Sequence, residues 1–116
     1  MMMVHKSMRV AEELSKEGIN VEVIDPRTLV PFDKKTIIDS VKKTNKAIVV
    51  SEDCKTAGVA AEISSIIVEA AFDYLDAPIK KINSADVPMP YSIVLEEKYL
   101  PQVQDIVNGV KEVCYI

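Results

Sequence analysis

Short apolar runs alternate with longer stretches of helical periodicity, and this alternation restricts the fold more than any other feature of the chain. The three short runs lie at 21–25, 47–51 and 79–83. The longer stretches place apolar side chains at the spacing of amphipathic helices; they lie at 4–17, 33–44, 58–75 and 101–113. Strands joined by helices pair in parallel through right-handed crossovers. The sequence therefore predicts an α/β domain: a three-layer open sheet, mainly parallel, with helices on both faces.

Length and charge narrow the possible classes of protein. The chain of 116 residues can bury the core of one domain but is too short for two. Its net charge of -4 provides no basic surface for nucleic acid or anionic membranes. The apolar runs are far shorter than the roughly 20 residues that cross a bilayer, and no signal-peptide layout opens the chain. We expect a cytoplasmic protein without nucleic-acid or membrane partners, with Cys54 and Cys114 as reduced, packed thiols.

The segment Asp86–Tyr91 is predicted to form a stiff loop. Pro88 and Pro90 lack N–H donors and push the residues before them toward extended geometry. The segment can therefore be neither a helix nor a central strand. It follows the third apolar run, at the edge of an open α/β sheet where functional loops collect.

This loop belongs to a series of segments that cover nearly the whole chain. The others are Met3–His5, Glu17–Ile19, Val23–Asp33, Ser40–Thr44, Gly58–Ile63, Ala71–Pro78 and Leu100–Val103. In this order they closely resemble the C-terminal domain of the β subunit of thiamin-diphosphate-dependent 2-oxo acid dehydrogenases, of the pyruvate or branched-chain type, and of acetoin dehydrogenases. The resemblance implies a transketolase C-terminal-like fold in an enzyme that transfers an acyl group to lipoyl arms and requires thiamin diphosphate and magnesium.

The resemblance also implies a missing first strand. The family has one more central strand immediately upstream of the segment that begins at Met3, and Met1–Met3 look like a start placed inside the domain. Residues 1–116 are then a single domain, truncated at its N-terminus. Because an unpaired sheet edge invites pairing with other chains, we expect self-association or completion by a partner.

The chain offers no cofactor site of its own. Gly18, Gly58 and Gly109 are too few and too far apart for a P-loop or a dinucleotide fingerprint. In the family, the diphosphate-anchoring motif lies in the α subunit and the activating glutamate in another domain of the β subunit. We therefore expect no catalytic, cofactor-binding or metal-binding residue here, and no activity of this chain alone. The implied partners are the α subunit and a second β subunit.

Three polar features each have two possible roles. His5, the only imidazole, lies at a helix start and could contact substrate in a crevice or serve the helix alone. Glu52 and Asp53 could form a carboxylate pair, although neighbours on an extended segment point to opposite sides. Thr56–Gly58 precedes a helix whose free N–H groups could bind an anion or simply receive a cap.

Asp76 and the terminal carboxylate of Ile116 are the candidate partner-binding groups. In the family, an acidic residue in the segment matched by Leu75–Pro78 and the C-terminal carboxylate dock basic side chains of the acyltransferase's subunit-binding domain. From the residues alone, Asp76 is better explained as the residue that ends a helix before Pro78; only with the resemblance do the two roles stand even. The favoured function is subunit assembly and docking on the acyltransferase core; the alternative is a stand-alone flavodoxin-like binding or oligomerisation module without catalysis. The parent substrate stays open between pyruvate, a branched-chain 2-oxo acid and acetoin.

Overall fold

The computed structural model describes residues 2–116, so Met1 lies outside the described chain. Helices and strands alternate through it. The α-helices are α1 (Met2–Ser15), α2 (Lys34–Thr44), α3 (Val59–Ala71), α4 (Ile93–Tyr99) and α5 (Val103–Val113). The strands are β1 (Ile48–Cys54) and β2 (Lys80–Ser84), and a short 3-10 turn, Phe72–Tyr74, follows α3. The α/β class predicted from the sequence is confirmed.

The two strands form a parallel pair joined by α3. Their register matches three consecutive pairs, Ile48 with Lys80, Val49 with Lys81 and Val50 with Ile82. An irregularity follows before Cys54 meets Ser84. There the buried Ser84 hydroxyl donates to the carbonyl of Glu52 at 2.7 Å. A parallel pair needs a long crossover connection, which α3 supplies, so β1, α3 and β2 form one structural unit.

Helices cover both faces of this pair. On one face α1 and α5 bury an apolar cluster of Val10, Leu14, Ile82, Ile106, Val107 and Val110. On the other face α2 and α3 bury Ile37, Val41, Ile67 and Ala71. The alternation along β1 follows the pleat, since Val50 packs in the first cluster and Val49 in the second. None of the helices within residues 2–116 combines the length and apolar character needed to cross a bilayer.

Caps explain where α2 begins and ends. The Asp33 carboxylate accepts the backbone N–H of Thr36 at 3.1 Å and also bonds the Thr36 hydroxyl. The Thr36 hydroxyl, followed by the Thr36 N–H, lowers the pKa of Asp33. At the other end Asn45 has a left-handed φ of 65°, a conformation that Asn tolerates well, and its N–H returns to the carbonyl of Val41. The helix predicted at 33–44 is confirmed by these bounds.

The strand predicted at 21–25 is wrong for this structure. The segment follows α1 but joins neither strand, and the sheet of the described chain has only two strands. Within residues 2–116, the backbone groups of 20–25 make no backbone hydrogen bond. A strand requires a hydrogen-bonded neighbour, and two cavities separate this segment from β1. The segment therefore has the apolar pattern of a strand but pairs with no other strand within residues 2–116.

Two glycines pack against the sheet and differ in what surrounds them. A Cβ added at Gly58 would collide with the backbone carbonyl of Cys54, whereas at Gly109 it would meet the flexible end of the Ile82 side chain. Overpacking costs roughly 1–3 kcal/mol. We expect Gly58→Ala to lower the free energy of unfolding by about that amount, measured by urea denaturation.

Gly109→Ala is the matched control. It lies inside α5, where replacing glycine by alanine gains about 1 kcal/mol of helix propensity. That gain offsets the displacement of Ile82, so the net loss should be smaller. Equal losses for the two variants, or a larger loss for Gly109→Ala, would contradict the packing described for Gly58.

Candidate functional site

Asp76 lies at the edge of the sheet where both strands begin. It belongs to the loop between the 3-10 turn and β2. Its side chain is 63% exposed, and its carboxylate lies 3.7 Å from the ammonium of Lys46. A long contact between solvated charges contributes little stability. The carboxylate is therefore held loosely and stays open to a second cation.

Asn45 fixes the position of this loop. Its carbonyl accepts the backbone N–H of Asp76 at 2.8 Å, and its side-chain amide donates to the carbonyl of Tyr74 at 2.8 Å. The ammonium of Lys42 also lies 5.3 Å from the centre of the Tyr74 ring, within range of a cation–π contact. The end of α2 therefore positions the backbone of Asp76 while leaving its carboxylate exposed.

The C-terminus of the chain lies at the same edge. Lys46 and Cys114 both border one cavity, which we call the first cavity. Lys80, which begins β2, bonds Glu112 near the end of α5 at 2.8 Å. The side chain of Ile116 is exposed. We call this region the amino edge; it comprises Asn45, Lys46, Asp76 and residues 113–116. The structure thus brings both predicted partner-binding residues to one edge of the sheet.

His5 lies elsewhere. Met3, Val4 and Ser7 form the face of α1 that borders a second cavity, bounded on its other side by β1. The side chain of His5 is on the exposed side of the helix. The structure therefore separates the imidazole from both Asp76 and the cavity wall.

The opposite edge of the sheet, where the strands end, carries a hydrogen-bonded polar cluster. Asp53 accepts the Asn83 side-chain amide at 2.8 Å through one oxygen, and the N–H of Val59, the first residue of α3, through the other. Glu52 beside it is exposed. The two carboxylates therefore lie in different surroundings. Asp53 accepts an N–H group at the start of α3 and does not form an acid–base pair with Glu52.

Thr56 is bound to a second carboxylate of the chain. Asp86 accepts the Thr56 N–H at 3.0 Å and its hydroxyl at 2.5 Å. The Thr56 hydroxyl, followed by its amide, lowers the pKa of Asp86. Asp53 and Asp86 thus accept the N–H groups of Val59 and Thr56, at and just before the start of α3. This favours capping over anion binding at 56–58.

Asn83, Ser84 and Tyr99 complete this cluster and were not identified from the sequence. The side-chain oxygen of Asn83 is buried and lacks a hydrogen-bond partner within residues 2–116. Burial raises the pKa of the Tyr99 phenol. Their position in the sequence could have indicated their role, because Asn83 and Ser84 end a strand where open α/β sheets place functional side chains. Within residues 2–116, no three His, Cys, Asp or Glu residues group as a metal site would require.

The proline loop exposes an apolar surface. Its irregular backbone, predicted for Asp86–Tyr91, is confirmed. After the anchor at Asp86, apolar side chains that are at least half exposed continue into α4; they are Val87, Met89, Tyr91, Ile93, Val94 and Leu95. Contiguous exposed apolar side chains mark surfaces that other proteins cover.

Comparisons with known proteins assign the fold to a family. Residues 2–106 match the family described as "Transketolase, C-terminal domain". The chain is 53% identical over 110 residues to the "Pyruvate dehydrogenase E1 component subunit beta, mitochondrial" of Dictyostelium discoideum, covering 95% of this chain and 31% of that protein. It is 47% identical over 110 residues to the "Pyruvate dehydrogenase E1 component subunit beta" of Rickettsia bellii; the match covers 95% of this chain and 34% of that protein. It is 50% identical over 113 residues to the "Pyruvate dehydrogenase E1 component subunit beta-1, mitochondrial" of Oryza sativa subsp. japonica; the match covers 97% of this chain and 30% of that protein. The chain thus spans about a third of the length of these relatives.

Proposed function

We infer that this chain, which belongs to the transketolase C-terminal domain family, serves as the C-terminal domain of a pyruvate dehydrogenase β subunit. Support comes from relatives of that name at 47% and 53% identity. Their names favour pyruvate over a branched-chain 2-oxo acid or acetoin as the parent substrate. The parent reaction is then oxidative decarboxylation with transfer of the acyl group to a lipoyl arm, in an assembly with α subunits and a second β subunit.

The role proposed for the domain itself is assembly and docking on the acyltransferase core. The observation that carries this proposal is the shared position of Asp76 and Ile116 at the amino edge. An exposed carboxylate and a chain terminus at the same edge of the sheet could offer two negative groups to one partner. Arginine suits such a site, because its guanidinium binds carboxylates through two parallel hydrogen bonds.

Helix ends add to the negative character of the amino edge. In a parallel α/β unit the helices return toward the starts of the strands, so their C-terminal ends collect there. α2 ends at Thr44, next to Asn45 and Lys46, and α5 ends at Val113. The unpaired carbonyls of a helix C-terminus carry partial negative charge that attracts cations. A basic partner would therefore meet the Asp76 carboxylate and the carbonyl ends of α2 and α5, next to the lysines of their last turns, Lys42, Lys43 and Lys111.

The docking role predicts a large effect of Asp76→Asn. Truncating one partner of a charge-assisted pair at an interface costs on the order of 2–5 kcal/mol, so binding of the purified subunit-binding domain of the acyltransferase should weaken strongly. The melting temperature should stay unchanged, because the Asp76 side chain makes only the long contact to Lys46. Calorimetric titrations at low and high salt measure both the loss and its screening.

Asp73→Asn is the matched control for this experiment. Asp73 is an exposed carboxylate in the neighbouring 3-10 turn, so its substitution removes the same charge without touching the proposed contact. We expect its affinity to stay close to that of the wild type. Docking that is equal for wild type and Asp76→Asn would overturn the role of Asp76.

Thiamin diphosphate and magnesium belong to the parent enzyme in this proposal, and the chain alone should bind neither the cofactor nor a 2-oxo acid. The reason is that its three glycines cannot form a diphosphate cradle. Titration of the chain with magnesium and thiamin diphosphate in a calorimeter should give no saturable heat. Micromolar binding in that titration would contradict the assignment of the cofactor to other parts of the enzyme.

A further inference from the structure

The segment between β2 and α5 is attached to the domain only near its two ends. Within residues 2–116, none of residues 87–98 is buried, and neither apolar cluster contains a side chain from this range. In the same described chain, no backbone hydrogen bond joins residues 88–95 to a part outside 85–100. The helix α4 lies in this segment and has no buried residue. Since helices in proteins obtain most of their stability from a packed face, the segment is held weakly between its ends.

Asp86 holds the first end of the segment. Its carboxylate accepts the N–H of Thr56 at 3.0 Å and the Thr56 hydroxyl at 2.5 Å. Hydrogen bonds to an ionised acceptor are stronger than neutral ones, so these two bonds tie the segment to the loop between β1 and α3. Both residues are exposed, and water can therefore replace the bonds when they break.

The second end of the segment lies next to the first. The N–H of Ala85 donates to the carbonyl of Tyr99 at 3.4 Å, which brings the two ends together. The side-chain amide of Gln102 donates to the carbonyls of Glu97 at 2.6 Å and Leu100 at 3.1 Å. A surface segment of this length with adjoining ends has the outline of an Ω-loop, a class of loop that is frequently functional.

Tyr99 connects the segment to the polar cluster where the strands end. Burial, followed by the neighbouring Cys54 thiol, raises the pKa of the Tyr99 phenol, and the Ser84 hydroxyl is a further neighbour. The phenol therefore lies against the last residues of both strands. The side-chain oxygen of Asn83, which is buried and has no hydrogen-bond partner within residues 2–116, belongs to the same cluster. A movement of the segment that withdraws Tyr99 would open this cluster to solvent.

We propose that residues 87–98 form a flap that controls solvent access to the polar cluster, with the bonds between Asp86 and Thr56 as its latch. When the latch is closed, Tyr99 covers Cys54. When the latch opens, the flap moves away from the ends of the strands and takes Tyr99 with it. Open α/β sheets place their ligand sites at this edge, so the flap lies where access matters. This device goes beyond the docking role of the amino edge and does not depend on it.

Alkylation of Cys54 by iodoacetamide tests the flap on the whole chain of 116 residues. Cys54 and Cys114 are both free thiols, and mass spectrometry of the digested protein follows each one separately. Cys114 lies at the amino edge and is the internal control for unfolding of the whole domain. In Asp86→Ala we expect Cys54 to react roughly tenfold faster than in the wild type, because hydrogen bonds to a charged group are lost. The rate at Cys114 should stay unchanged.

Two results of this experiment would overturn the proposal. Equal rates at Cys54 in the wild type and in Asp86→Ala would show that the bonds to Thr56 do not hold the segment in place. A parallel rise at Cys54 and Cys114 would show that Cys54 becomes accessible only when the whole domain unfolds, as expected for a core position rather than for a local opening.

Two further variants identify the latch. Thr56→Val keeps the shape of the side chain but removes the hydroxyl donor, so we expect a rise at Cys54 smaller than that of Asp86→Ala, since the N–H of residue 56 still donates. Glu97→Ala is the matched control, because it removes an exposed carboxylate of the flap that lies outside the latch. Its Cys54 rate should equal that of the wild type. A rise in Glu97→Ala as large as in Asp86→Ala would contradict a specific latch at Asp86.

Discussion

The parallel pairing of β1 with β2 sets the positions of the helices around it. It requires α3 as a crossover, and α3 in turn packs with α2 on one face while α1 and α5 cover the other. The pairing also decides where functional groups collect, because parallel strands begin at one edge and end at the other. The amino edge and the polar cluster are consequences of this single topology.

The two edges use their carboxylates differently. Where the strands end, Asp53 accepts the N–H of Val59 at the start of α3 and the side-chain amide of Asn83, and Asp86 accepts the N–H of Thr56 in the loop before α3. Those carboxylates stabilise the fold and have little capacity left for a ligand. At the amino edge, Asp76 has a fixed backbone and a loosely paired side chain. This difference favours the amino edge as the surface that recognises a charged partner.

Local sequence patterns predicted α1, α2, α3, α5 and both strands, since periodicity, Asp33 and the proline loop act within a few residues. The same patterns failed at 21–25, because strand formation depends on a neighbour that the apolar pattern cannot supply. The role of Asn45 could not be predicted either, because its side-chain amide donates to the carbonyl of Tyr74, 29 residues away. The resemblance to a family singled out Asp76 and Ile116, but their shared edge emerges only when α5 packs beside β2.

The sheet of residues 2–116 is open between β1 and 20–25, and amide hydrogen exchange measured by NMR would detect this opening in solution. Exchange reports local opening, from unprotected loops to core strands that open only with global unfolding. We expect nearly unprotected amides at Val21 and Val23 in the free chain, alongside strong protection in the ladder between β1 and β2. Protection of Val21 and Val23 equal to that of the ladder would show that the segment is already paired and would contradict an open sheet.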